Sequence, residues 1–147
     1  MRIKMTVKAK ASWSTFHRDV VKSAVAYAID EYGMEDSERS IVVKLIGCEG
    51  DHDGAMVKMT KDSFIVWVSS QTAVRKLLYI VFHEMTHVKQ AVFDGWTQHD
   101  TEDLATWKGE VVPYNVDDDK DYFNAPWEIE ARAMGKELRK TYMRKMR

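Results

Sequence analysis

The chain has 147 residues, 45% of them hydrophobic and 31% charged, with a formal net charge of -1. That length suits one folding unit with a real core, and the apolar share excludes intrinsic disorder, so a single globular domain spanning residues 1–147 is expected. The near-zero charge excludes a global demand for nucleic acid or an anionic membrane, while the one cysteine, Cys48, cannot form an internal disulfide and points to a reducing, cytoplasmic setting.

Met1 to Lys8 alternates charged and apolar residues, which reads as a strand and lacks the continuous apolar segment of a signal peptide. Ser12 and Ser14 offer caps to a helix in which Phe16, Val20, Val21, Ala24, Val25, Ala28 and Ile29 recur at three- and four-residue steps, ending near Gly33. Ser40 to Gly47 is short and β-branched, predicting a strand at least half buried. Gly50 to Gly54 reads as a turn, and the runs Ala55 to Thr60 and Ser63 to Ser69 flank Lys61-Asp62 as a hairpin, with Phe64, Val66 and Val68 on one face.

The strongest helical pattern runs from about Ser70, a possible cap, to Phe93, and it is apolar on nearly all sides between Leu77 and Met85, as an interior helix is. Its uninterrupted apolar run, Leu77 to Phe82, is far short of the roughly 20 residues that span a bilayer, so no membrane contact is expected. Residues 94 to 124 carry nine acids (Asp94, Asp100, Glu102, Asp103, Glu110, Asp117, Asp118, Asp119, Asp121) against Lys108 and Lys120, with little periodicity beyond a possible strand or hairpin at Trp107 to Val112. Long irregular segments within domains are often functional. Pro126 then opens a final helix to the C-terminus, rich in Arg132, Lys136, Arg139, Lys140, Arg144, Lys145 and Arg147. Solvated faces are the simplest reading of the acidic loop and of this basic helix; the loop could otherwise attract a basic substrate, and the helix could touch nucleic acid or pair with the loop.

Within the buried helix lies His83-Glu84-Met85-Thr86-His87. Residues four apart on a helix point the same way, so two imidazoles converge and can seat one zinc ion, with Glu84 beside them as general base. From residue frequencies the motif arises by chance with a probability on the order of one in a hundred, and burying such groups without metal or hydrogen bonds is costly. A catalytic zinc commonly takes three protein ligands. The position six residues beyond His87 is Phe93, which removes the three-histidine metzincin spacing. His99 and the acids of the last helix, Glu128 and Glu130, remain. For oxyanion stabilisation, Tyr114, Tyr122 and His99 lie in the right segment, although ordinary packing explains each as well; His17 and His52 read as surface or packing residues.

The His83 to His87 helix with Val88 and Gln90, the Asp94-Gly95 step, Trp107 and Gly109, and Pro126-Trp127-Glu128-Ile129-Glu130-Ala131 together resemble minimal zincins with a glutamate third ligand, in particular small metallopeptidases common in phage genomes. The resemblance covers residues 79 to 134. It implies His83, His87 and Glu128 as metal ligands, Glu84 as base, Zn2+ as cofactor and a peptide or protein as substrate. Arg132 stands where some glutamate zincins carry an aspartate that orients a histidine, which leaves that role to Glu130 or leaves Glu130 as the ligand itself.

The expected architecture is α+β and zincin-like: a three- to four-stranded sheet packed on an N-terminal helix and the motif helix, with the C-terminal helix supplying the third ligand. The expected function is that of a zinc-dependent peptidase. A zincin-scaffold binding module without turnover and a zinc-dependent nuclease are the rival readings; the nuclease would need a third histidine and a basic cleft.

Overall fold

A computed structural model describes residues 1–7, 13–36, 38–47, 53–69, 73–99 and 101–146. Cys48, His52 and the possible caps Ser12 and Ser70 lie outside the described residues, as does most of the expected turn at 50 to 54. The order is β1 (Arg2–Val7), α1 (Thr15–Glu31), β2 (Ser40–Leu45), β3 (Gly54–Thr60), β4 (Ser63–Val68), α2 (Val74–Phe93), β5 (Thr97–His99), β6 (Leu104–Trp107), β7 (Glu110–Pro113), α3 (Asp119–Asn124) and α4 (Pro126–Lys145). This is an α+β fold with a small mixed sheet and, among the described residues, four helices.

The main sheet runs β1-β2-β4-β3; β2 is parallel to both β1 and β4, and β3 lies antiparallel to β4 at the edge. Alternation in sequence becomes alternation in burial: Ile41, Val43 and Leu45 of β2 sit in register with Phe64, Val66 and Val68 of β4, and all six are buried. Their common face packs with Val21, Ala24, Val25, Ala28 and Ile29 of α1 and with the apolar body of α2 into the main core, which Leu138 and Tyr142 of α4 complete. Ser14 caps α1, its side chain accepting from the His17 amide. His17 is accordingly a surface residue of the first turn.

Two details differ from expectation. First, α2 begins at Val74 with Ala73 at the cap position and no side-chain cap, some residues later than its pattern suggested. Second, the segment after α2 is more ordered than its weak periodicity predicts. β5, β6 and β7 form a separate antiparallel sheet, and Lys108 and Gly109, with φ of 49° and 84°, make a two-residue turn joining β6 to β7. Asp118 then caps α3, accepting from the amides of Lys120 and Asp121. This region closes on a second core of Ala105, Tyr114, Ala125 and Trp127, flanked by Trp96, Trp107 and Val112. Among the described residues, no helix is long and apolar enough to cross a membrane.

Candidate metal centre

On α2, His83 and His87 stand one turn apart with ring centroids separated by 5.0 Å. α4 lies along α2, and small residues set how closely: Ala131 is fully buried, and a Cβ built on Gly135 would come within 3.1 Å of the Tyr79 ring and 3.4 Å of the His83 amide nitrogen. Glu128, one turn before Ala131, is thereby brought against both imidazoles. Its Oε1 lies 3.1 Å from His87 Nε2 and its Oε2 lies 3.3 Å from His83 Nε2. Pro126 at the start of α4 fixes the entry to the helix, and the carboxylate in that first turn is favoured by the helix dipole.

The charges shape one another. Burial by itself would raise the Glu128 carboxyl, but contacts with His83 and His87 outweigh it and hold that carboxyl at about 2. For His87, burial favours the neutral ring, yet the Glu128 contact, the nearby Glu84 charge and Gln90 together push its pKa above the ordinary value.

His87 is held from behind. Its Nδ1 is 2.8 Å from Gln90 Oε1, and the Gln90 amide nitrogen donates to the Trp127 carbonyl at 2.9 Å and to Glu130 Oε1 at 3.1 Å. Gln90 is fully buried, so its amide has one satisfied orientation, in which its oxygen accepts from His87 Nδ1–H and leaves Nε2 facing Glu128. Beyond the helix, Gly95 adopts φ 65°, a conformation that turns the chain back sharply, and Trp96 stacks on the His87 ring at 5.0 Å with 24° between planes.

His99, one candidate for the third ligand, is exposed on β5 and bonded to Thr106 Oγ1 at 2.9 Å. Glu130 faces Gln90 and, at 3.6 Å, Lys89. Neither enters the cluster that could hold an ion, which consists of His83, His87 and Glu128, all with donor atoms within 4.8 Å of one another. Glu130 instead acts on His87 through Gln90. Arg132 contacts α3, donating to the Phe123 carbonyl at 2.6 Å with its guanidinium over the Phe123 ring.

A cavity of about 330 Å³ opens beside this cluster, with Glu84, His83, Glu128, Tyr79 and Tyr122 in its wall. Of the three residues considered for an oxyanion, Tyr122 lines the cavity, whereas Tyr114 packs edge-on against Trp127 in the second core and His99 lies on β5. Burial, then the charges of Glu128 and Glu84, push the Tyr122 phenol up to about 12, so it stays a hydrogen-bond donor at neutral pH. Gly54 passes so close to α2 that an added Cβ would lie 2.8 Å from Ile80 Cγ2 and 3.2 Å from Glu84 Cγ. Sequence reasoning put Gly54 in a turn, where the structure makes it the first residue of β3, and gave no site role to Trp96 and none in detail to Gln90. The i, i+3 spacing of Gln90 from His87 was the only local signal among them.

The donor set fits a divalent ion. Bonds of about 2.1 Å in tetrahedral array separate ligand atoms by roughly 3.4 Å, close to the two imidazole–carboxylate distances here. Moreover, Glu128 Oε2 is buried without a hydrogen-bond partner, although His83 Nε2 lies 3.3 Å away. No protein-family model, no curated protein and no solved structure matches the chain.

Proposed function

We propose that the protein is a zinc-dependent peptidase of minimal zincin type. One observation carries the reading: two histidines and a glutamate from separate helices converge beside a cavity whose wall also contains the glutamate next to the first histidine. Two nitrogens and one carboxylate oxygen are a donor set typical of catalytic zinc. When bound, zinc supplies a Lewis acid that polarises a carbonyl and acidifies water. His83, His87 and Glu128 hold it. Glu84 takes the proton from the attacking water and delivers it to the leaving amine. Tyr122 donates to the oxygen that gains charge at the attacked carbonyl.

The edge position of β3 supports a polypeptide substrate. β3 starts at Gly54 in the metal cavity, and Met56, Val57 and Lys58 line a second cavity of about 280 Å³ with Trp96, Thr97 and Gln98. An extended chain added to this edge runs past both cavities with its backbone hydrogen-bonded to β3.

Metal analysis of protein purified without added zinc, alongside cleavage of an unfolded protein, tests the proposal. One equivalent of zinc is expected in the wild type and none in His83→Ala, with cleavage lost in Glu84→Gln while its zinc remains. Absence of stoichiometric metal, or full activity in Glu84→Gln, overturns it. Cleavage of RNA in place of protein, also dependent on Glu84, would favour the nuclease; the exposed His99, distant in role from the site, already counts against that rival.

A further inference from the structure

The first turn of α2 and the outer face of α4 enclose a groove of about 470 Å³, whose wall carries Arg75, Lys136, Arg139, Lys140 and Arg144 against one acid, Glu137. In a chain with 22 basic and 23 acidic side chains, such segregation is uncompensated locally. Among the described residues none of the five cations is ion-paired; Arg139 spends its guanidinium on the Arg75 carbonyl and the Tyr79 ring. The acidic loop does not neutralise them. Asp118 caps α3 and Asp121 accepts from the Asn115 amide.

The groove adjoins the metal cavity. Tyr79, under the Arg139 guanidinium, lines that cavity, as do Lys76 and Arg132, the neighbours in sequence of the groove residues Arg75 and Ala133. From these placements we infer that the groove is a docking site for an acidic segment of polypeptide. On α4, Lys136, Lys140 and Arg144 are four residues apart, a rise of about 6 Å per step. An extended peptide presents side chains on one face every roughly 6.6 Å, so glutamates or aspartates at alternate positions meet successive cations. Nucleic acid fits less well, because the wall of the neighbouring cavity carries three acids, Asp53, Glu84 and Glu128, beside the cations Lys76 and Arg132. A uniformly charged polymer continuing from groove to cavity meets like charge there. A polypeptide can place an acidic stretch in the groove and a neutral or basic one in the cavity. That the captured segment belongs to the substrate rests on the peptidase reading; the capture itself does not.

The test uses the full chain carrying Glu84→Gln and a fluorescent peptide of about a dozen residues alternating Glu and Ser, with an oligodeoxythymidylate of equal charge as comparison. Binding is read by anisotropy. Lys136 and Lys140 are exposed, so the double reversal Lys136→Glu, Lys140→Glu should leave the fold intact, which circular dichroism checks. Saturable peptide binding is expected, weakened by salt and by at least about tenfold in the double reversal. No saturable binding, binding unchanged in the folded double reversal, or tighter binding of the oligonucleotide overturns the inference. With Glu84 restored, cleavage of a protein bearing an acidic tract is expected to show KM raised by the double reversal and kcat unchanged. Absence of Glu84-dependent cleavage in the wild-type chain would sink the peptidase reading, while peptide binding would still decide the groove.

Discussion

Gln90 and His87 share a buried hydrogen bond of 2.8 Å, and through it Glu130, two residues beyond Glu128 on α4, reaches an imidazole it does not touch. Partners that orient a ligating histidine typically change metal affinity by about 10- to 100-fold. Gln90→Leu is therefore expected to lower zinc affinity by that factor in a chelator competition, with a stability loss of about 1–3 kcal/mol because the Trp127 carbonyl loses its donor. Wild-type affinity in a folded Gln90→Leu protein would show that His87 needs no such support.

The same cluster sets a pH dependence. Glu128 is held at about 2, below its ordinary 4.5, so its contribution to stability is present above 4.5 and lost as pH falls towards 2. His87 is raised above its ordinary 6.5, so its contribution is present below 6.5 and lost as pH climbs through the raised value. In metal-free protein, the urea-midpoint difference between wild type and Glu128→Gln should thus be greatest between about 4.5 and 6.5. Added zinc should reverse the trend, stabilising more as pH rises from about 5 to 8, since protons compete for the same ligand atoms. A zinc effect independent of pH would contradict this ligand set.

Gly54→Ala separates metal holding from catalysis. The new methyl meets Ile80 and Glu84 side chains and, at 3.1 Å, the Trp67 carbonyl, while none of His83, His87 and Glu128 is among its near neighbours. A stability loss of about 1–3 kcal/mol is expected in urea titration, with unchanged zinc content and kcat reduced by about tenfold or more as Glu84 is displaced. Undiminished turnover would mean that Glu84 tolerates the crowding.

Tyr122→Phe removes one hydroxyl from the cavity wall. Loss of an oxyanion donor commonly lowers kcat by about 100- to 1,000-fold. That fall is expected with zinc content and KM little changed. A rise in KM at constant kcat would recast Tyr122 as a substrate-binding residue.

Much of the fold was legible because it is locally encoded. The alternation of Ile41, Val43 and Leu45 and of Phe64, Val66 and Val68 declares two strands with one buried face, whatever lies opposite. The region after α2 was harder to read, since its three-residue and four-residue strands are too short to display a period. There the Lys108-Gly109 turn and the Asp118 cap carry the signal.

Spacing along the chain already puts His83, Glu84 and His87 on one stretch of helix, with the two imidazoles on one side, because residues four apart are neighbours in any α-helix. It could not determine which acid joins them. Glu128 and Glu130 are separated by about 200° around α4, so the choice depends on which face of that helix meets α2. Packing decides it: Ala131 and Gly135 admit α2 on the side of Glu128 and leave Glu130 to Gln90 and Lys89. The Trp96 stack and the basic groove arise in the same way, from contacts between segments far apart in the chain.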